Sequence, residues 1–355
     1  MKRDTYWQMI RGICIIAVIM IHCPTALNSP SSASLLSWIT VRSIVNFPVP
    51  VFFFLAGYFA QSSVKKFRSG VQYCVRRSWR LIVPYTVWSV LSVSVLAAFR
   101  HEPVPITSFL IKYFTGRTVA PFYFIAVLFQ LTLATPILSD LVNRRSRLVY
   151  AVYGLHFAAL AAVYRLALTS NGVPHYCYSL PFVWVGFYAL GMQLRAADES
   201  EGSYPLIRRL VSGVFSSPLF LSAAIAFNWL ESCILLKYSA PPILAVCQFR
   251  IGGILYSVSL IAVMYRFRGT EVRGQLQRAL AYIGDISYGI FLVHYLAVLA
   301  ASQFISRFFS GFPWCAVFLF SFTFAFLASM LVVSTARCVF QGERGRKFLR
   351  VLGFA

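Results

Sequence analysis

Acidic side chains are scarce in this chain: ten Asp and Glu stand against 32 Lys and Arg in 355 residues, a formal net charge of +22. Asp4, Glu102, Asp198, Glu199, Glu201, Glu271 and Glu343 fall in loops or termini, and Asp140, Glu231 and Asp285 lie near helix ends. No helix centre is therefore expected to carry a carboxylate. That speaks against a proton- or sodium-coupled transporter built on buried acids, and against paired-carboxylate chemistry. Charge of either sign is also thin, at 12% of residues, where a soluble domain carries about a quarter. Soluble architecture is thereby excluded. The eight cysteines (Cys14, Cys23, Cys74, Cys177, Cys233, Cys247, Cys315 and Cys338) lack CxxC or any metal-ligand spacing, so no metal site is expected. Most read as small apolar residues in helices, with a Cys177–Cys233 disulfide on the outer face left open. No internal repeat marks two transporter halves. No loop exceeds about twenty residues, so residues 1–355 are read as a single membrane domain without an appended soluble one.

What is abundant is apolar. Hydrophobic residues make up 59% of the chain and mean hydropathy is +0.72. Apolar runs of about twenty residues recur throughout, which predicts an all-α, polytopic membrane helix bundle rather than a barrel. Ten spans fit, at 8–27, 38–61, 81–99, 119–140, 148–168, 178–195, 210–230, 243–265, 282–303 and 314–336. The first run carries Arg11 and His22 and lacks a clear small-residue cleavage site, so it is read as a span and not as a cleavable signal. Basic residues collect on alternate loops: Lys2 and Arg3; Lys65 to Arg80; Arg144 to Arg147; Arg195 to Arg209; Arg266 to Arg278; Arg337 to Arg350. Their excess of about three to one over the opposite side places both termini in the cytoplasm. Such short clusters orient helices and build no continuous basic face with stacking aromatics, so nucleic acid is excluded as a partner. Residues 100–118 are expected to be the longest exposed outer segment and 196–207 an acidic cytoplasmic linker. The basic tail 337–355 is amphipathic at its end and is expected on the anionic inner leaflet, with membrane lipids as partners.

Ionisable groups inside such a bundle are functional candidates by default. Arg11 and His22 are eleven positions apart, three helical turns, which sets them on one face about 16 Å apart along the axis. A neutral imidazole at the depth of His22 can act as a general base. His294, in the ninth span, lies about eleven residues from the cytoplasmic edge. His156 is read as a hydrogen-bonded packing residue, and His101 and His175 as outer-loop residues. Arg76, Arg77 and Arg80 lie directly before the third span, with 77 and 80 on one helical face. Planar guanidinium forks at a membrane mouth suit bidentate binding of phosphate. Pro84 follows and leaves a backbone carbonyl unpaired, which can open the helix there.

Taken together these pieces resemble the acyltransferase 3 family of membrane acyltransferases. The resemblance starts with Arg11-x10-His22 and continues in PVPVFFFLAGYF (Pro48 to Phe59), where Ala56 stands in place of the family's usual serine before Gly57. It runs on through Arg77-x-x-Arg80 and Leu-Ile-Val-Pro84-Tyr85, then PFYFIAVLFQL, with Tyr123 where a tryptophan is common. It closes on Gly284-Asp285-Ile-Ser287-Tyr288-Gly289-Ile-Phe291-Leu-Val-His294, with Asp285 at a position that is often basic. The resemblance implies transfer of an acyl group from a cytoplasmic donor, usually acetyl-CoA, to an acceptor at the outer face of the bacterial inner membrane. The acceptors it implies are sugar hydroxyls of O-antigen, capsule, exopolysaccharide or other lipid-linked glycans. It assigns His22 and Arg11 to catalysis, and the donor's phosphates to Arg76, Arg77 and Arg80, with Tyr85 beside them. Tyr123, Ser287 and His294 are candidates for acceptor binding or oxyanion stabilisation. His22 either deprotonates the acceptor hydroxyl directly or takes the acyl group first. Two other readings stand beside these: a flippase for a lipid-linked sugar, with the arginines on its phosphates, and an acyltransferase acting on a non-polysaccharide acceptor.

Overall fold

The computed structural model describes residues 4–23, 32–100, 102–169, 173–200, 202–238, 242–308 and 311–355; Lys2, Arg3, His101, Glu201 and the end of the first predicted span lie outside them. Within that range the chain is helical, with no strand. The helices are Thr5–His22 (α1), Ser32–Val45 (α2), Pro48–Val64 (α3), Gly70–Arg100 (α4), Ile106–Phe114 (α5), Tyr123–Asn143 (α6), Leu148–Thr169 (α7) and His175–Tyr178 (α8). They continue with Val185–Glu199 (α9), Pro205–Arg209 (α10), Pro218–Lys237 (α11), Pro242–Ala245 (α12), Ile251–Arg266 (α13), Gln275–Asp285 (α14), Ser287–Phe308 (α15), Trp314–Val339 (α16) and Gly342–Leu352 (α17). Among the described residues, eight helical runs are long and apolar enough to cross a membrane. The polytopic bundle is thus present, with two of the ten expected spans shorter than foreseen. Segments 178–195 and 243–265 fold as α9 and α13, of 15 and 16 residues. At 1.5 Å per residue these reach about 22–24 Å, short of a hydrocarbon core of about 30 Å. Pro181 opens a 3₁₀ turn ahead of α9, and Arg250 caps the start of α13. The seventh span is shifted from 210–230 to α11, because the Ser217 hydroxyl accepts the Phe220 amide and Pro218 sits at the first turn.

The chain divides into two compact units. One comprises Met1–Trp38, Trp79–Ile125 and Gly269–Ala355; the other comprises Ile39–Ser78 and Ala126–Arg268. In the first unit α1 crosses α14 with backbones almost in contact. A Cβ on Gly12 would strike the Leu280 carbonyl, and one on Gly284 would strike the carbonyl of Gln8. Small residues at such a crossing let dispersion do the work that hydrophobicity cannot do in lipid. Asp285, at the end of α14, pairs with Arg337 of α16 at 3.1 Å.

Two segments of this unit depart from the sequence expectation. Residues 102–119 are largely exposed, as expected, but they carry a helix, α5, where a loop was expected. They fold back along α4: the Tyr85 hydroxyl donates to the Tyr113 carbonyl at 2.5 Å, the Tyr113 and Thr86 hydroxyls meet at 2.6 Å, and Ser89 meets Thr118 at 3.0 Å. Tyr85 lies fifteen residues back from the end of α4, about 22 Å along the axis. The basic tail, in turn, does more than lie on a surface. Arg344, Arg346, Lys347 and Arg350 face outward from α17, yet Leu349 and Phe354 are buried. Trp88 Nε1 donates to the Leu352 carbonyl at 3.0 Å, and the Phe354 ring packs 5.8 Å from that of Trp88. Gly353 has φ +74° and no room for a side chain between Leu292, Pro84 and Tyr288, which is why the tail turns there on glycine.

In the second unit α3 and α9 repeat the close crossing, with Gly57 against the Tyr188 carbonyl and Gly191 against that of Phe54. The apolar run Ser34–Val64 is broken at Asn46–Phe47, ahead of Pro48 and Pro50. Its freed carbonyls are taken up by side chains. Asn228 Nδ2 donates to Ser43 at 2.8 Å and the Tyr256 hydroxyl to Ile44 at 2.8 Å, while Asn46 Nδ2 donates to Val246 at 2.7 Å. Glu231, expected near a helix end, is instead a buried carboxylate of α11. The Tyr164 hydroxyl and the amide of Ile251 donate to one of its oxygens, and the amide of Gly252 donates to the other at 2.7 Å. Arg250, fully buried, stands 3.6 Å from that second oxygen and donates to the Asn228 carbonyl and side chain. With both oxygens engaged, the carboxylate and Arg250 form a structural ion pair. His156 packs as expected, with Nδ1 3.2 Å from the Phe182 carbonyl. All eight cysteines are free thiols, so Cys177 and Cys233 are unpaired.

On the side that the charge asymmetry assigns to the cytoplasm, Asp198 ties three elements of this unit together. It accepts from the Tyr58 hydroxyl at 2.7 Å, from the Tyr265 hydroxyl at 2.8 Å and from Arg268 at 2.5 and 3.0 Å. Burial pushes the Asp198 carboxyl up, but the hydrogen bonds from Arg268, Tyr58 and Tyr265 outweigh it and hold the group below the usual carboxylate range.

Two outcomes are expected. Gly284→Val should destabilise the purified chain by about 2 kcal/mol or more, because backbone cannot yield as a side chain can, whereas Gly154→Ala, exposed in mid-helix with open space around it, should raise the thermal melt slightly. Because the Asp198 carboxyl is depressed in the fold, its contribution is complete above the ordinary carboxylate range and is lost as pH falls through the lowered value. Asp198→Asn should therefore lower the melting temperature at neutral pH and flatten its decline on acidification.

Candidate active site

The first unit gathers the conspicuous side chains of the sequence. α1 carries Arg11 and His22 on one face; Gln8, one turn before Arg11, sets its Oε1 3.5 Å from the guanidinium. His22 ends α1 and is half-buried. Its ring centre lies 5.4 Å from that of His294 and 5.7 Å from that of Tyr295, which meets it edge-on at 90°. His294 is completely buried on α15, so helix geometry and packing place two imidazoles side by side from opposite ends of the sequence.

A row of aromatic rings leads up to this pair. Tyr85 of α4 stands 5.7 Å from Phe122, Phe122 lies 6.3 Å from Phe291, and Phe291 lies 5.6 Å from His294. Phe124 also reaches Phe291, at 5.5 Å. Phe122 is held there by the 3₁₀ turn Ala120–Phe122 at the end of the folded-back segment. Sequence reasoning missed Phe122, Phe124, Phe291 and Tyr295. The signal for Phe291 was its place one turn before His294; that for Phe122 and Phe124 was the aromatic PFYF, read only for Tyr123.

The other predicted residues fall as follows. Tyr123, half-buried, opens α6 between the two phenylalanines of the row. Ser287 sits at the start of α15, two turns before His294, and its hydroxyl donates to the Gly284 carbonyl at 2.8 Å. Tyr85 contributes its ring to the row while its hydroxyl is committed to Tyr113. Arg76, Arg77 and Arg80 lie on α4 itself, since that helix begins at Gly70 and not after them. Arg76 and Arg80 are exposed and Arg77 half-buried; Arg76 also rests 5.9 Å from the Phe67 ring centre. Arg80 belongs to the unit of His22, and Arg76 and Arg77 to the other. Among the described residues, no cluster of His, Cys, Asp and Glu could hold a metal ion.

A half-buried imidazole, beside a buried one and at the end of an aromatic row, is suited to moving a proton away from water. A family model described as an acyltransferase domain, acyltransferase 3, matches residues 4–334. The chain belongs to the acyltransferase 3 family. It is a multi-pass membrane acyltransferase, and the family match spans both units. No curated protein and no solved structure matches it. Within the acyltransferase, Gly57 and Gly284 of the motif segments serve the two helix crossings, so their identity answers to packing.

Tyr85→Phe in the acyltransferase should cost about 1 kcal/mol of stability, one internal hydrogen bond. The Michaelis constant for the acyl donor should stay within about twofold, and thermal melts with donor titrations on the same preparation would check both.

Proposed function

We propose that the acyltransferase moves an acetyl group from cytoplasmic acetyl-CoA to a sugar hydroxyl of a lipid-linked or surface polysaccharide at the outer face of a bacterial inner membrane, with His22 as general base. The observation that carries this reading is the placement of His22 beside buried His294 at the end of an aromatic row, on the helix that carries Arg11 three turns earlier. The nucleotide of CoA is bulky and polyanionic, and the exposed guanidinium of Arg80 on α4, in the same unit as Arg11 and His22, offers its phosphates a bidentate partner. The pantetheine arm is slender and mostly apolar, which suits passage along aromatic rings.

In the reaction the acceptor oxygen attacks the thioester carbon. The C–O bond forms, the C–S bond breaks, and His22 takes the hydroxyl proton and returns it to the departing sulfur. One base and one oriented thioester suffice, so direct transfer is favoured over an acyl-histidine. Tyr123 and Ser287 are proposed to border the acceptor or the developing oxyanion.

His22→Ala should abolish acetyl esters on the purified polysaccharide, read by proton NMR, while the protein still inserts. Full acetylation in that variant would sink the assignment. Arg80→Gln should raise the Michaelis constant for acetyl-CoA roughly tenfold, as loss of one charge-assisted contact does, with a smaller effect on turnover.

A further inference from the structure

His294 holds an unsatisfied atom that calls for an explanation. Its Nδ1 lies 2.7 Å from the Phe291 carbonyl. A carbonyl only accepts, so Nδ1 carries the proton, and in the neutral ring Nε2 is a bare acceptor. That Nε2 is fully buried and has no hydrogen-bond partner. An acceptor left unmade in an apolar interior is costly, and native structures keep such atoms rarely. The neighbouring ring is His22, with centres 5.4 Å apart and planes inclined by 49°. Two imidazoles joined by an N–H···N bond have ring centres about 5 Å apart. The separation of the two rings is thus the one such a bond requires.

We infer that His294 is a positioning residue for His22: its Nε2 receives the N–H on one side of the His22 ring and so turns the other, bare nitrogen toward the acceptor hydroxyl. The inference rests on His22 being the base. It follows the general arrangement in which a base is oriented by a third group, with a neutral imidazole in the place often held by a carboxylate. When His22 takes the hydroxyl proton, the N–H that faces His294 belongs to an imidazolium and the bond to Nε2 strengthens. Once that proton passes to the departing sulfur both rings are neutral again, so His294 gains and loses nothing. Phe291 serves twice, with its carbonyl fixing the His294 tautomer and its ring joining the aromatic row. Among the described residues, titratable neighbours include Tyr295 on α15, edge-on to His22, and Cys23, whose thiol donates to the Ile19 carbonyl at 3.2 Å.

Two substitutions separate positioning from packing. His294→Asn keeps an amide nitrogen where Nδ1 meets Phe291 and lacks the outer atom; His294→Gln reaches the outer position and gives up the Phe291 bond. The full chain in membrane vesicles is assayed for thiol release from acetyl-CoA, and each variant's melt is recorded after purification. The expected result is a turnover about 10- to 100-fold lower for His294→Asn, the worth of one hydrogen bond to a charged group. The Michaelis constant for acetyl-CoA should be unchanged, and His294→Gln should be several-fold more active than His294→Asn. Wild-type turnover in His294→Asn, or equal losses in both variants that track their melts, would overturn the positioning role and leave His22 as base. Undiminished thiol release by His22→Ala would instead remove the base itself, whatever the His294 variants do.

Discussion

Within a bilayer a polar group must find its partner in the chain, because hydrocarbon supplies none. Much of this fold follows from that constraint. Where α2 breaks before Pro48, Asn228 and Tyr256 reach the freed carbonyls. Where α11 buries Glu231, two amides, a tyrosine and Arg250 surround it. Where residues 102–119 turn back beside α4, hydroxyls of Tyr85, Thr86 and Ser89 meet them. The bare Nε2 of His294 departs from that pattern, and it does so next to the histidine that the motif marks.

The same medium governs how the helices associate. Lipid tails are as apolar as leucine, so helices gain little by hiding apolar faces from them and associate through close packing. The pairs Gly12 with Gly284 and Gly57 with Gly191 bring backbones to where any Cβ would collide. The first crossing fixes α1 relative to the α14–α15 corner, and with it the separation of His22 and His294. The geometry of the candidate site thus depends on glycines some turns away from it.

Part of the candidate site can be read from the amino-acid sequence. Arg11 and His22 lie in one apolar run at a spacing that needs only the helical repeat, and the arginines of α4 form a local cluster. Asp285 and Arg337, in contrast, are 52 positions apart, and nothing local announces their pairing. Tyr85 has the sequence context of a donor ligand, yet its hydroxyl serves the folded-back segment. The two short helices α9 and α13 read as spans because apolar composition does not distinguish a helix facing lipid from one buried among other helices.

By itself the sequence determined the solvent, the class and the family. Twenty-residue apolar runs, alternating basic loops and an ordered set of motifs are local properties, readable from composition, period and spacing. Only the tertiary structure decided that His294 stands beside His22, that Phe122 and Phe291 join them in one row, that Glu231 is locked by Arg250, and that the tail ends against Trp88. Each of these joins residues far apart along the chain. Such contacts are set by which helix faces meet and how closely, and that is decided by glycine crossings and the pairing of buried polar groups, which no single helix carries.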